Sequence, residues 1–422
     1  MEVALVQRRT LRLLFVTQVI SGIGIAIAGS VGALLAADIA GIGVSGVVQS
    51  VLVIGAALFA VPATAIVQRS GRRPSLAAGY LVASVGAIII VTAAVRGSAP
   101  LLFAGFFLLG GATAATYQAR YAAVDLAPAA LRGRHLSVIV WATTLGAVVG
   151  PNLAAFAGAS LERYGVPTLA GPFVFSALLF TLSTLVLVLL LRPDPAVVAG
   201  ETIGSSAGAT SNAPHLGVRA ALPVVMSQSS ARLGVSAMAI GNMVMIGVMA
   251  MTPVHIRGAG HDAAQTLRIV GLVLSCHIAG MFAFAPVFGW LTDRLGRRPV
   301  ILAGIGLLLA ACAVAGTAGH QPARLAGGLM LLGLGWSATI VAGSTLLSES
   351  VSRELRVAAQ GLADLTMGLA GAAAGAISGV IVEGWGYPTL TLLAALATAP
   401  LVVLVGMSTS SKPSPPPYRA GY

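Results

Sequence analysis

Apolar residues run along this chain in long, nearly unbroken blocks, each closed by a short polar stretch rich in Gly, Pro and Arg. Twelve blocks can be read, at 11–36, 44–67, 76–95, 101–125, 135–158, 169–191, 232–254, 267–291, 299–318, 324–347, 358–382 and 388–408. Each is about as long as the roughly 20 residues a helix needs to cross a bilayer core. In hydrocarbon the backbone must satisfy its own hydrogen bonds, so the blocks are expected to be helices and not isolated strands. The first is too long for the core of a signal peptide and no convincing cleavage site follows it, so it reads as a retained helix.

Two stretches break the pattern. Residues 192–219 (RPDPAVVAGETIGSSAGATSNAPHLGVR) are polar and rich in Gly, Ser, Ala and Pro, the composition of a flexible linker. The tail SSKPSPPPYRAGY has no helical pattern and is expected to be disordered. The organisation is therefore a six-helix bundle over 1–191, a cytoplasmic linker over 192–231, a second six-helix bundle over 232–408 and a disordered cytoplasmic tail over 409–422.

Composition supports this reading. Of 422 residues 57% are hydrophobic, enough for twelve crossings, and 9% are charged, against roughly a quarter in a soluble domain. A soluble enzyme, a disordered chain and a disulfide scaffold are all excluded. Cys276 and Cys312 both lie inside apolar blocks, so neither a disulfide framework nor a zinc site can be read. The net charge of +12 could suggest nucleic acid, but the arginines sit in short loops between apolar blocks, which is the orientation signal of a membrane protein. One set of helix ends carries Arg8, Arg9, Arg12, Arg69, Arg72, Arg73, Arg132, Arg134, Arg192, Arg294, Arg297, Arg298, Arg353 and Arg356, among others. The opposite ends carry Arg96, Arg163, Arg257, Arg268 and Arg324. Both termini are thus expected in the cytoplasm, which requires an even number of crossings.

The halves repeat. Arg69, Gly71, Arg72, Arg73 and Pro74 recur as Arg294, Gly296, Arg297, Arg298 and Pro299, and Asp125 and Arg132 recur as Glu349 and Arg356. Six is even, so both halves enter the membrane from the same side. A parallel repeat is one of the two plans of secondary transporters, with the ligand site at midplane between the halves.

The strongest local motif is Gly289-Trp-Leu-Thr-Asp293-Arg294-Leu-Gly296-Arg297-Arg298, at the arginine-rich exit of the eighth block. Gly289 removes bulk where another helix can approach. Asp293 places an anion where helices entering from the cytoplasm present their positive ends. The arginines can bond helix ends or carboxylates of the other half. Together these would form a latch favouring a cytoplasm-closed state. The motif resembles the loop signature between helices 2 and 3 of the major facilitator superfamily. The first-half copy, with Arg69, Gly71, Arg72 and Arg73, holds Gln68 and Thr64 at the Asp and leading Gly positions. The family's first-half loop meets the start of helix 11, so Asp364 is expected to pair with Arg69 or Arg72; as an acid inside a span it is also a proton-coupling candidate. Gly146-x-x-x-Gly150-Pro151-Asn152 resembles the family's helix 5 signature associated with antiporters, though Ala154 and Ala155 replace its last two glycines. Asp125-Leu-Ala-Pro-Ala-Ala-Leu-Arg132-Gly-Arg134 resembles the family's loop between helices 4 and 5, where Asp125 and the arginines can pair at the membrane surface.

Candidate chamber residues are fewer. Tyr117, Arg120 and Tyr121 share one face of the fourth span, and Arg120 could hold an anionic group of a substrate, snorkel to the surface or tie to Asp125. His277, at the middle of the eighth span, is a second coupling candidate or a satisfied core histidine. Gln18, Gln49, Asn152, Asn242, Trp141 and Trp336 can line a cavity or bridge helices. Asp38 and Glu383, at outer helix ends, are expected to be solvated. His255, His261 and Asp262 match no recognised metal spacing, and neither metal nor cofactor is expected.

The resemblance covers nearly the whole chain and implies a monomeric secondary transporter working by alternating access in a bacterial-type plasma membrane. Export of a small amphipathic compound in exchange for protons is the preferred reading. Uptake or uniport of a metabolite, and a transport-dead sensor or scaffold, are the alternatives. A polytopic enzyme is disfavoured because no nucleophile–base spacing is present.

Overall fold

The computed structural model describes residues 3–128, 131–204, 218–352 and 355–409. The first six crossings are α1 (Val3–Ala40), α2 (Val47–Ser70), α3 (Arg72–Arg96), α4 (Ala99–Ala122), α5 (Arg132–Glu162) and α6 (Gly171–Leu190). The next four are α7 (Ser229–Arg257), α8 (Ala263–Phe282, extended by Ala285–Leu295), α9 (Arg297–Gly316) and α10 (Pro322–Ser350). Among the described residues eleven stretches are long and apolar enough to cross a membrane, and the last, Ala358–Gly406, has 49 residues. At 1.5 Å per residue it would be about 74 Å long, more than twice the ~30 Å hydrocarbon core. It breaks at Gly386, whose φ of 82° and ψ of 168° lie where only glycine sits easily. Pro388 then starts the chain afresh. The stretch therefore makes two crossings, α11 (356–385) and α12 (387–409), and the twelve apolar blocks each become a helix.

Burial separates the crossings into two classes. The most apolar windows of α1, α4, α7 and α10 are 56–78% buried, those of the others 22–44%. The enclosed helices recur at every third position, as expected of two six-helix bundles built to one plan and facing each other. Close packing uses small residues. A methyl on Gly146 would stand 2.7 Å from the Ile23 nitrogen, and one on Gly150 2.6 Å from the Ala26 methyl. The helix 5 motif therefore lets α5 lie against α1.

The loop repeat is a physical duplication. Gly71 (φ 94°, ψ −176°) and Gly296 (φ 91°, ψ 165°) make the same turn. The arginine after each glycine reaches the acid that stands at the repeated position, Asp125 or Glu349. Arg72 binds Asp125 with both a 2.8 Å and a 3.0 Å bond, and Arg297 binds Glu349 at 2.5 Å. The first-half loop adds an anion that sequence reasoning missed: the carboxylate of Asp194 accepts the backbone N–H groups of Arg72 (3.0 Å) and Arg73 (2.7 Å) at the start of α3. It neutralises the positive end of that helix. Its signal in the sequence was only an acid just past the sixth block.

The segment expected to be a flexible linker carries two short helices, Pro195–Gly204 and Val218–Ser227. The second is held because Ala221 and Val225 bury against the ends of α7, α10 and α11, beside Ala231, Leu347 and Ala359. The tail expected to be disordered lies outside the described residues from 410 onward.

The two copies of the loop ion pair differ in exposure. The Arg72 and Asp125 side chains are 14% and 16% exposed, whereas Glu349 is 50% exposed. Asp125→Asn should therefore cost about 2 kcal/mol, and Glu349→Gln roughly 0–1 kcal/mol. Melting temperatures of the purified variants in detergent check this; equal losses would contradict it.

Candidate functional site

The halves close on each other toward the arginine-poor rim. There the turn leading into α2, residues 42–46, and the first turn of α2 lie against the backbone of α11. A methyl on Gly379 would lie 2.6 Å from the Gly43 carbonyl, and one on Gly46 would collide with the Gly375 carbonyl. Ser50 donates to the Ala372 carbonyl at 2.5 Å. Between α5 and α8, a methyl on Gly271 would stand 2.9 Å from the Pro151 carbonyl, and Asn152 donates to Ser275 Oγ at 2.6 Å. Across the outer ends of α1 and α7, Arg257 forms an ion pair with Asp38, and Ser45 Oγ points at Met251 Sδ, 3.6 Å away.

Just inside this seal lies a small pocket, walled by Gly29, Gly32, Gln49, Phe106, Met249 and Pro253 among others. Its surface is mostly hydrocarbon from both halves. Apart from Gln49, nothing in the sequence distinguished these residues from ordinary apolar core.

Toward the arginine-rich rim the halves part. On the first-half wall Tyr117 is 50% exposed, and the Arg120 guanidinium carbon stands 5.2 Å from the centre of its ring. The Arg120 Nε is buried and has no hydrogen-bond partner among the described residues. Asp364 on α11 of the other half is exposed and feels the charge of Arg120 across the gap. Leu365 and Leu369 beside it are also exposed. From Phe106 to Arg120 is fourteen residues of α4, about 21 Å, so these charges stand at the mouth and the apolar cavity at the far end.

Several expectations need correction. Asp364 does not pair with Arg69 or Arg72, because Arg72 is already held by Asp125 and by Gln118 (2.8 Å) within its own half. Arg69 is exposed at the end of α2. Gln18 is not a chamber residue: it is fully buried inside the first half, donating to Tyr80 Oη at 2.7 Å. Asn242 and Trp336 bind each other at 3.1 Å and tie α7 to α10, and Asn242 also donates to the Met367 carbonyl of α11 at 3.0 Å. Asn152 bridges the halves as part of the seal. His277 is wholly buried in the second half, with Nδ1 2.8 Å from the Leu329 carbonyl, and is not brought near Arg120 or Asp364.

Asp38, expected to be solvated, is bound to Arg257. Glu383 faces Gly43 across the seal. Tyr121 is exposed, with Arg72 6.0 Å from its ring centre. The latch expected to shut the arginine-rich rim is not engaged. Asp293 is 79% exposed and among the described residues pairs only with Arg297, at 3.9 Å, and a methyl on Gly289 would meet nothing within 4 Å. With the halves apart there, no second helix is close enough to use either residue. Arg294 lies over Trp290, and Arg298 is half-buried at the start of α9. The Arg132 and Arg134 side chains lie outside the described residues.

A duplicated twelve-helix membrane protein with a chamber sealed at one rim and parted at the other has the architecture of an alternating-access carrier. Comparison with known proteins agrees. The Major Facilitator Superfamily model matches residues 14–269 and again 261–421. The MFS-type transporter YdeG of Bacillus subtilis (strain 168) is 38% identical over 400 residues, 94% of this chain and 91% of that protein. The riboflavin transporter RfnT of Brucella anthropi is 26% identical, over 83% of this chain and 84% of its own length. The crystal structure of the nucleoside transporter NupG superposes with a TM-score of 0.75 at 16% identity, covering 96% of this chain and all of that one. The chain belongs to the major facilitator superfamily and is a multi-pass membrane transporter of that fold.

The ion pair at the sealed rim yields a test. Asp38→Asn should let the α1 and α7 ends part and raise the population open at the arginine-poor side. In a background with Cys276→Ser and Cys312→Ser, a cysteine placed by Gln49→Cys should then react with a membrane-impermeant maleimide from that side several-fold faster than without Asp38→Asn. Unchanged labelling would mean the glycine contacts alone hold the seal.

Proposed function

We propose that the chain exports a small amphipathic molecule from the cytoplasm in exchange for protons, across the plasma membrane. It works as a monomer whose units, residues 1–191 and 232–408, rock about the chamber. The arginine asymmetry supports cytoplasmic termini, because cationic loops are retained on that side. The parted rim is then the cytoplasmic one, where an exported molecule would load. An apolar cavity suits an apolar body, and the resemblance of Gly146, Gly150 and Pro151 to an antiporter signature favours exchange.

The observation that carries the reading is Asp364. It is an acid inside a crossing, exposed in the cleft and without an ion-pair partner among the described residues. Such a group must be neutralised before the rim can close over it, since an unpaired carboxylate is costly to desolvate. A proton on the inward stroke and the cargo on the outward stroke can each do this, which is the requirement for exchange. His277 has no part in this path.

A second reading, carriage of a ring-bearing metabolite in the importing direction, is favoured by the similarity to RfnT, a riboflavin transporter by name.

Vesicles reconstituted with the cytoplasmic face outward, given an acidic lumen and an amphipathic fluorescent dye, test the proposal. The dye should accumulate, and Asp364→Asn should abolish accumulation while preserving gradient-free exchange. Accumulation in that variant equal to the parent, or dye driven only by an alkaline lumen, would overturn it. Release of riboflavin preloaded in the lumen, with no dye accumulation, would favour the second reading.

A further inference from the structure

The mouth of the chamber presents a cation and an anion on opposite walls, each without an ion-pair partner among the described residues. Arg120 belongs to α4 of the first half and Asp364 to α11 of the second. Among the described residues neither forms a hydrogen bond or an ion pair, and no N···O distance between them falls within 4.0 Å. Yet they are near enough to act on each other electrostatically. Of the first-half charges at this rim, Arg72 is bound by Asp125 and Gln118, the Asp194 carboxylate is taken by the start of α3, and Arg69 is exposed at the end of α2. The ring of Tyr117 lies beside Arg120 and half-exposed to the cleft, within reach of both charges' fields.

Consider what can lie between these walls when the rim closes. Closure strips water from both charges, and each then needs a partner. A cation would satisfy Asp364 and be repelled by Arg120; an anion would do the reverse. A neutral molecule would leave both charges for each other and gain nothing from them. A molecule bearing both an anionic and a cationic group satisfies the two walls at once and joins the halves through itself. A guanidinium offers a planar fork of donors to a carboxylate, and the Nε of Arg120 is a buried donor still to be filled. The phenol face of Tyr117 suits a flat or apolar body.

We infer that the cargo is a zwitterion with an apolar, ring-sized body, its anion on Arg120, its cation on Asp364 and its body against Tyr117. This rests on the chamber being the transport path, as proposed above. It does not rest on direction or proton coupling, because it concerns binding alone.

The test is equilibrium binding to the purified full-length chain in detergent, followed by thermal shift and confirmed by calorimetry. Two sets of four probes share a skeleton and differ in charge: tryptophan, indole-3-propionate, tryptamine and tryptophol; and phenylalanine, 3-phenylpropionate, phenethylamine and 2-phenylethanol. In at least one set the zwitterion should bind ten-fold or more tightly than its three analogues. Arg120→Gln should weaken the zwitterion ten-fold and turn the preference to the amine. Asp364→Asn should turn it to the carboxylate. A reversed preference in each variant cannot arise from misfolding, because it is a gain. The inference is overturned if no probe of either set binds, if the alcohols bind as well as the zwitterions, or if both variants weaken all four probes alike, as a direct Arg120–Asp364 closing pair would do. Since no gradient is present, this experiment can fail while the vesicle experiment succeeds, and the reverse.

Discussion

Water is absent from the middle of a membrane, and nearly every feature of this protein follows from that. Backbone groups have no partner there except each other, so each crossing is a helix. Apolar side chains gain little by leaving lipid for another helix, so the helices hold together by close contact between small residues. Gly146 and Gly150 against α1, and Gly46 and Gly379 across the seal, are instances. Charges are tolerated at the two rims or where they face the cleft, as with Asp38, Arg120, Asp364 and Arg257.

The duplication adds a second level of order. The turn at Gly71 and the bond from Arg72 to Asp125 are rebuilt at Gly296 by Arg297 and Glu349. The copies have diverged in what surrounds them. Asp194 steadies the first, and Asp293 stands exposed beside the second. Two bundles of one plan and one polarity can rock against each other while each keeps its own interior, and polar pairs such as Gln18 with Tyr80 or Asn242 with Trp336 belong to those interiors.

Most of the fold was legible in the sequence, because hydrophobic length and arginine placement are one-dimensional signals. The twelve blocks, the repeat and the loop motifs each became a recognisable piece of structure. The site was less legible, because facing is three-dimensional. Gln18 and Arg120 both look like polar residues in apolar spans, yet one is spent on a tyrosine within its own bundle and the other looks into the cleft. The pairing expected between Asp364 and Arg72 failed because Asp125 was nearer. The cavity walls, Gly29, Phe106 and Met249, carry no mark that separates them from core. Asp38 was read as solvated because its partner Arg257 lies in the other half of the chain.

The seal between α2 and α11 has a consequence for how the protein can vary. At Gly46 and Gly379 it is backbone against backbone, so neither residue can be replaced by anything smaller. Every substitution at Gly43, Gly46 or Gly379 is an insertion of volume, and it acts as a wedge in one direction. Drift at these positions can only tilt the resting balance toward the opposite posture, and a lineage that needs this posture as its ground state has no alternative residue to accept there.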